Sequence, residues 1–509
     1  MLIRPRLLAL LLLLPTGCSG RGCDGDAAAP AGESAGQPDI VLVVVNGLRA
    51  EVFGDGAADA LLAGLGREPS TRYGSAYAQS IQPHVSMASL LTGRYVGGIP
   101  ICGPVDPKSP QPWCVEIPDT RQTLPEVMRI YGYRTALAVA GGSGLTVDAL
   151  AGGFDEVITL DRPFAITPVR TDRWDPVEQW WGVEGDQPRF LMLSLDLDQT
   201  NVEGRLRAFY EPWDADDAEQ ARFLDEHPEF RDRLRPGMLW PFLDEDAVEL
   251  IHGEYRASAT AAGAALNLLV DSLLPPDGGG PRDSWLMLTS LHGVTLGETT
   301  GTCCPEQLRA GSHIVLLDRT LRVPLWLFAP GDRGSTTVVT DPVELVDITP
   351  TLLGLADARP IAGLAGQDLL GDAALDDAHA YAEFGDMLAL REGDLMVSFR
   401  SQEHGITSID PVVDERLYHW AGLFGERHLN RDARANARSL DREIRDARIH
   451  DVAADPLQTE DLDILDHPAL PHLADQLYDL RRGPGAPPPQ AMSRERVDEL
   501  RETGALHYW

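Results

Sequence analysis

Asn46 and His292 are the two side chains of this 509-residue chain whose type and position first point to chemistry. Asn46 directly follows the apolar run of residues 40–45, and His292 closely follows the run of residues 285–289. An amide oxygen and an imidazole nitrogen can both bind a metal ion, and imidazole in particular suits zinc. The ends of these two runs are therefore where we expect a functional site.

The elements that must position these side chains have the pattern of an α/β protein. Residues 40–45 form a continuous apolar run rich in β-branched side chains, which is typical of a strand buried on both faces of a parallel sheet. Further strands are predicted at residues 135–139, 190–195, 285–289 and 323–329, with helical stretches at residues 124–131 and 257–274. This alternation predicts a mostly parallel sheet with helices on both faces, whose sites lie at the carboxyl ends of the strands.

The sequence is predicted to have four parts: residues 1–18, a signal peptide with a lipobox; residues 19–37, a flexible tether; residues 38–379, the α/β domain; and residues 380–509, a smaller α+β subdomain and tail. The last boundary follows a change of pattern, because residues 394–399 read as a strand and residues 430–447 as a charged helix. A second part is expected at this length, since single hydrophobic cores seldom grow past about 300 residues.

The N-terminal residues have the pattern of a secretory signal. Arg4 and Arg6 precede the apolar residues 7–14, a run too short for a spanning helix, which needs about 20 residues. Residues 14–18 resemble a bacterial lipobox, in which Cys18 would be lipidated. We therefore expect a lipid-anchored protein of the bacterial cell envelope, in the periplasm or at the outer membrane. Pro15 is unusual in that motif, so secretion is the alternative.

Charge and cysteine content narrow the range of partners. With 78 acidic and 43 basic residues, the net charge is −35, which repels phosphate backbones and argues against nucleic acid as a partner. An anionic ligand would need a local basic pocket against this field. Cys102 and Cys114 lie close together in a proline-rich segment and are a candidate disulfide in an oxidising compartment.

Five segments resemble the sulfatase family, in the family's order and at sensible spacing. They are residues 38–50 (PDIVLVVVNGLRA), 76–95 (AYAQSIQPHVSMASLLTGRY), 122–136 (QTLPEVMRIYGYRTA), 288–298 (LTSLHGVTLGE) and 322–331 (RVPLWLFAPG) followed by 346–352. The resemblance implies an alkaline-phosphatase-like α/β fold and the activity of a sulfuric ester hydrolase. A sulfatase uses a Cys or Ser converted to formylglycine as nucleophile, together with a divalent cation held by carboxylates.

The same resemblance indicates that this chain has lost most of that chemistry. It places Pro83 at the nucleophile position, Asn46 and Gly47 at the first metal-binding acids, and Leu291 with His292 at the later metal-binding pair. Proline has no heteroatom with which to attack, and Gly47 and Leu291 offer no ligand. The residues therefore predict a pseudoenzyme with no cofactor, whose cleft binds an anionic small molecule or a protein. The helix that follows Pro83 is expected to begin near Met87, with Ser86 as its N-cap.

Two other hypotheses stay open at this stage. In the first, His84, His292 and His313 line the cleft and hold zinc or another divalent cation with Asn46, and a metal-bound water hydrolyses a sulfate or phosphate ester. Calcium is the other cation that a rebuilt site would take. For each histidine taken alone, a hydrogen-bonded loop residue is the favoured interpretation. In the second hypothesis, the protein is a non-catalytic interaction module of the envelope.

Overall fold

The computed structural model describes residues 36–50, 56–95, 122–140, 152–160, 174–197, 245–275, 282–294, 296, 316–331, 335–371, 379–384, 387–400, 448–455, 458 and 462. The predictions that concern Cys18, Cys102, Cys114, His313 and the helix at residues 430–447 fall outside these ranges. They stay predictions.

Within the described residues, nine strands form one large sheet. Its strands are β1 (Asp39–Asn46), β2 (Thr71–Tyr77), β3 (Arg134–Ala140), β4 (Glu156–Leu160), β5 (Arg189–Asp196), β6 (Ser284–Thr289), β7 (Arg322–Phe328), β8 (Thr337–Val339) and β9 (Val343–Glu344). Their order is β4-β3-β5-β1-β6-β7-β2-β8, and β9 also pairs with β2. All neighbours are parallel except that β7 is antiparallel to both β6 and β2. The predicted mostly parallel sheet is confirmed.

Helices cover both faces of this sheet. They are α1 (Ala57–Leu65), α2 (Pro83–Thr92), α3 (Leu124–Ile130), α4 (Asp175–Trp181), α5 (Glu245–Leu273), α6 (Asp318–Leu321) and α7 (Ile348–Leu355), the last preceded by a 3-10 turn, Leu345–Asp347. Apolar residues of α1, α4 and α5 lie on one face, and those of α2, α3 and α7 lie on the other. None of the helices in the described ranges combines the length and the apolar character needed to cross a membrane.

The two faces of β1 explain why its sequence is a continuous apolar run. A first core cluster contains Val41, Val43 and Val45 together with apolar residues of α1, α4 and α5, and a second core cluster contains Ile40, Leu42 and Val44 together with apolar residues of α2, α3 and α7. Alternate side chains of a strand point to opposite faces, so a strand with helices on both sides needs an apolar residue at every position. This placement brings the polar end of β1, Asn46, to the rim of the sheet.

Helix α5 begins twelve residues before the predicted start at residue 257. Its added turns carry Ile251 and Tyr255, which continue the buried stripe of Ala259, Ala262 and Leu266 at helical spacing. The predicted helix was too short because the polar residues between these positions interrupt the apolar character of the segment. Only the period of the buried side chains reveals the longer helix.

A second, antiparallel sheet follows in the chain. Its strands are β10 (His379–Phe384), β11 (Met387–Glu392), β12 (Leu395–Arg400) and β13 (Arg448–Asp451), paired in that order. An apolar cluster joins it to the large sheet, with Tyr77 and Leu321 packed in the same cluster as Ala380 and Met396. The predicted strand at residues 394–399 corresponds to β12.

Candidate functional site

The carboxyl ends of β5, β1 and β6 lie side by side and bring three polar residues to one rim of the large sheet. Asn46 at the end of β1 is in register with Asp196 at the end of β5. On the other side of β1, Val44 is in register with Thr289, and the chain continues from there to His292. Asn46, Asp196 and His292 form what we call the rim site.

A hydrogen bond joins the first two residues of the rim site. The Nδ2 of Asn46 donates to the Oδ1 of Asp196 at 2.9 Å. Asn46 is 5% exposed, and its Oδ1 has no hydrogen-bond partner in the part of the chain that the structure describes. Asp196 reaches solvent, but desolvation by the surrounding protein raises the pKa of its carboxyl group, against smaller lowering effects from Asn46 and His292.

His292 is held in one orientation by its own loop. Its Nδ1 lies 2.8 Å from the carbonyl oxygen of Gly293, so Nδ1 carries the proton and donates, and Nε2 keeps its lone pair. Burial lowers the pKa of His292, while the Gly293 carbonyl and the charge of Asp196 act in the opposite direction. The loop is fixed in turn, because the Ser290 hydroxyl donates to the carbonyl oxygen of His292 at 2.8 Å.

Gly47 turns the chain away from the end of β1. Its φ is 77°, in the left-handed region that favours glycine. Its carbonyl oxygen accepts a 2.6 Å hydrogen bond from the hydroxyl of Tyr255, and the same hydroxyl accepts from the backbone nitrogen of Arg49 at 3.0 Å. This position is therefore a turn anchored by α5, and it offers no side chain to a ligand.

Leu291, the residue before His292, belongs to the core rather than to the rim site. Its side chain is fully buried in the second core cluster. A carboxylate at this position would have to be placed among apolar side chains, at a cost of several kcal/mol unless paired. Leu291 is therefore the kind of residue that this apolar position accommodates, and an acid is not.

Pro83 is the first residue of α2, after the N-cap residue Gln82. Proline is favoured at this position because its fixed φ suits the helix and its missing N–H would have no partner there. The expectation that the helix begins near Met87 with Ser86 as N-cap is therefore wrong by one turn. Ser86 lies inside the helix, where its hydroxyl donates to the carbonyl oxygen of Ser80 at 2.8 Å and accepts from the backbone nitrogen of Ser80 at 3.1 Å.

His84 follows Pro83 in the first turn of α2 and is buried. Burial lowers the pKa of its imidazole to about 4, so the ring is neutral near pH 7. A neutral ring supplies no positive charge to an anionic substrate. Across the described ranges, no three His, Cys, Asp or Glu side chains are grouped so that they could hold a metal ion, and His313 lies outside those ranges.

The donors of the rim site do not fit the hard, carboxylate-bound cation that the resemblance to sulfatases implies. Such an ion takes six to eight oxygen ligands, several of them charged. Here Asp196 is the one carboxylate among the rim-site residues, and one of its oxygens already accepts from Asn46. Gly47 and Leu291 contribute no ligand atom from their side chains.

Asp196 is the site residue that reasoning from the sequence missed. It directly follows the predicted strand at residues 190–195, just as Asn46 follows residues 40–45. Rules for parallel sheets would have placed it at the same rim. Its position beside Asn46, however, depends on β5 being the neighbour of β1, and the order of strands is not visible in the sequence.

Comparisons with known proteins give one curated relative and many related structures. No protein-family model matches the chain. The chain is 31% identical to an ulvan-active sulfatase from Formosa agariphila over 117 residues, which are 23% of this chain and 21% of that enzyme. The match therefore spans about a fifth of the length of the relative.

Solved structures match over nearly the whole length. A 2-O GAG sulfatase has a TM-score of 0.53 at 14% identity and covers 92% of both chains. A protein of glycosaminoglycan metabolism from Bacteroides thetaiotaomicron has a TM-score of 0.53, and the phosphonate monoester hydrolase of Agrobacterium radiobacter has 0.52. Each of these two is 15% identical and covers 87% of this chain and 95% of its own. The predicted alkaline-phosphatase-like α/β fold and the resemblance to sulfatases are confirmed.

Proposed function

We propose that this protein is a catalytically inactive relative of sulfatases that uses its cleft to bind a ligand at the bacterial cell envelope. The single observation that carries this proposal is the place of Pro83. It opens α2, where the resemblance puts the nucleophile, and its ring has only methylene groups at that point. Removing a catalytic nucleophile typically lowers turnover by many orders of magnitude, on the order of 10⁶-fold in a well-studied hydrolase.

The surroundings of the rim site support the same proposal. Two further positions that would hold acids are built into the fold as a left-handed turn at Gly47 and a core residue at Leu291. Neither can be restored by moving a side chain. Asn46 also holds an amide where the resemblance places an acid. With Pro83, the protein would therefore need substitutions at four places before it could follow a sulfatase mechanism.

The test is an assay of turnover with aryl sulfate and aryl phosphate esters, each with added calcium, manganese or zinc. We expect rates that do not exceed those of the buffer with the metal alone. The matched variant is His292→Gln, which keeps a polar side chain of similar size but removes the imidazole. Robust turnover by the native chain that His292→Gln abolishes would overturn the proposal.

A metal-dependent hydrolase with a rebuilt site is the second candidate, and Asp196 is the observation that favours it. The rim site has one carboxylate that the sequence did not reveal, next to an amide and an imidazole. The same assay separates the two candidates, because a rebuilt hydrolase must show turnover that depends on both the metal and Asp196. Under this candidate, Asp196→Asn lowers the rate as strongly as His292→Gln.

Anchoring at the envelope is a separate part of the proposal and has its own test. In a bacterial host grown with a labelled fatty acid, we expect the full chain to take up label and to sediment with membranes. The Cys18→Ala variant should take up no label, because the thiol that carries the lipid is gone. A chain that is labelled equally with and without Cys18, or not labelled at all, contradicts the proposed anchor.

A further inference from the structure

We propose that a pocket beside α3, at the end of the large sheet opposite the rim site, binds a neutral saccharide. Its volume is about 710 Å³, within the ~300–1,000 Å³ range of small-molecule sites. The groups of its wall lie on α3 and at the starts of β3, β4 and β5: Glu126, Arg129, Ile130, Arg134, Asp155 and Gln187. We call it the α3 pocket. These strands run parallel to β1, so their starts lie at the edge opposite Asn46.

Ion pairs and hydrogen bonds fix the shape of the α3 pocket before any ligand binds. The Nε of Arg129 lies 2.8 Å from the Oδ1 of Asp155, and the Oδ2 of Asp155 accepts from the backbone nitrogen and the hydroxyl of Thr135 at 2.9 and 3.1 Å. Arg134 lies over the ring of Trp180, 4.7 Å from its centroid, and donates to the Trp180 carbonyl oxygen at 3.0 Å. A wall ordered in advance loses little conformational entropy on binding.

Hydrogen-bonding capacity remains on three side chains of this wall. The ion pair with Asp155 uses the Nε of Arg129, and its two terminal nitrogens bond to no described residue. The Oε2 of Glu126 accepts from the backbone nitrogen and the hydroxyl of Thr123, whereas its Oε1 has no bond within the described ranges. The exposed amide of Gln187 both donates and accepts. Since a hydroxyl group also does both, this mixture suits a ligand that carries several hydroxyl groups.

The charges around the α3 pocket argue against an ionic ligand. The acids Glu126 and Asp155 offset Arg129 and Arg134, and Glu156 adds a further acid 3.6 Å from Arg134. The net charge of −35 on the whole chain repels anions, and the pocket has no excess of positive charge to overcome that field. A cation would meet two guanidinium groups. A neutral ligand avoids both penalties.

An apolar surface completes the α3 pocket. Ile130 lines it and is 55% exposed, so a ligand can cover this side chain. A sugar ring presents carbon-bound hydrogens on its face and hydroxyl groups around its edge, and it therefore meets both kinds of surface. A purely apolar ligand would instead desolvate Arg129 and Glu126 without replacing their hydrogen bonds to water. The inference goes beyond the proposed function and does not rest on it, because the cleft takes no part in it.

A panel of neutral oligosaccharides of glucose, galactose, mannose and xylose tests the site, followed by calorimetric titration of the full chain with the best binder. We expect binding that hardly changes with ionic strength, since the ligand carries no charge to be screened. Arg129→Gln should weaken it roughly tenfold or more, because hydrogen bonds to a charged group are the strong ones. The control is Arg72→Gln in β2, which also removes a surface arginine paired with carboxylates and should leave binding unchanged.

Ile130→Tyr provides a result that misfolding cannot imitate. The position is exposed, and a larger apolar face should raise the affinity about threefold. The inference is overturned if no neutral saccharide of the panel binds, if Arg129→Gln binds as tightly as the native chain, or if Ile130→Tyr gains no affinity. Tighter, Arg129-dependent binding of a glucuronic acid counterpart also overturns it, because the ligand would then be an anion. Ester turnover has no part in this test, so the inference and the proposed inactivity can fail independently.

Discussion

Gly263→Ala is expected to destabilise the protein by roughly 3 kcal/mol or more, although alanine normally stabilises a helix. Gly263 lies in α5 where that helix crosses α1, and an added Cβ would collide with the carbonyl oxygen of Leu61 and lie 2.9 Å from its carbonyl carbon. The contact is reciprocal, because a Cβ on Gly64 of α1 would lie 2.5 Å from the carbonyl oxygen of Thr260. The atoms that an added Cβ would meet at this crossing belong to the backbone, so no side-chain rotation can relieve the clash.

Gly253→Ala is the matched control because it changes the same residue type in the same helix. Among the described residues, a Cβ at Gly253 would meet only the guanidinium of Arg256, at 3.9 Å. We therefore expect no loss of stability and a gain of up to about 1 kcal/mol from helix propensity. Thermal unfolding followed by circular dichroism compares the two variants. Similar midpoints for both would mean that α1 and α5 can separate at little cost, contrary to the packing described here.

The crossing of α1 and α5 also bears on the rim site. Tyr255, two turns before Gly263 in α5, holds the Gly47 turn through its hydroxyl, and that turn directly follows Asn46. A shift of α5 would therefore reach the rim site through Tyr255. For this reason Gly263→Ala is expected to weaken the binding of a ligand in the cleft as well as stability, whereas Gly253→Ala should affect neither.

Much of the fold could be predicted because its central strands are apolar on both faces. β1, β5 and β6 read as continuous apolar runs, and alternation with helices gave the mostly parallel sheet. β2 was not predicted, because its sequence TRYGSAY contains polar residues that reach solvent at the side of the sheet. Arg72 of β2, for example, forms exposed ion pairs with Asp59 and Glu68, so its segment lacks the apolar signal.

The rim site was harder to predict than the fold. Asn46 and His292 could be located because each follows an apolar run, which places it at a strand end. The pairing of Asn46 with Asp196 depends on strand order, and the orphaned Oδ1 depends on a hydrogen bond that no sequence pattern encodes. Leu291 and Gly47 could be recognised as lost acids, but only the structure gives the core packing of Leu291 and the positive φ of Gly47.

Glu344 is a buried carboxyl group at the junction of the two sheets. Its protonation is expected to make the free energy of unfolding depend on pH. Its Oε2 accepts from the Tyr95 hydroxyl at 2.6 Å, and its Oε1 accepts from the Gln79 side chain at 3.1 Å and from the backbone nitrogen of Tyr381 at 2.7 Å. Tyr381 belongs to β10 of the small sheet, so the contact joins the small sheet to the large one. Desolvation by burial raises the pKa of Glu344 to about 7.

Asp347 is a second buried carboxyl group beside the first. Its Oδ2 accepts from the backbone nitrogen of Glu344 at 2.7 Å and its Oδ1 from that of Gln367 at 2.9 Å. Desolvation, and then the charge of Glu344, raise its pKa to about 7. Among the described residues, the other titratable groups that interact with the pair are Tyr73, Tyr95 and His379, and next to these lie Asp368, Tyr381 and Glu383. The folded protein therefore holds protons at this junction that the unfolded chain releases.

The free energy of unfolding is expected to fall as the pH rises from about 4.5 to about 7. Both folded pKa values are raised, so the native state binds more protons than the unfolded state in this window, and the associated stability is complete below it and lost across it. The loss at this junction is roughly 3 kcal/mol, since each pKa unit corresponds to about 1.4 kcal/mol and the two groups share their protons. Urea unfolding at a series of pH values measures it.

Glu344→Gln should flatten this dependence, because an amide keeps the shape of the side chain and does not ionise. Its oxygen still accepts from Gln79 and Tyr381, and the Tyr95 hydroxyl can turn toward the Nε2 of His379, which lies 3.3 Å away. The control is Glu249→Gln, an exposed carboxyl group whose pKa is lowered by its hydrogen bond to Arg256 and which should leave the slope above pH 5 unchanged. The acidic surface affects the native chain, Glu344→Gln and Glu249→Gln alike. The quantity to compare is therefore the difference between their curves of unfolding free energy against pH. Parallel curves for Glu344→Gln and the native chain would show that Glu344 stays ionised in the folded protein, and the junction would then be an ordinary charged hydrogen-bond network.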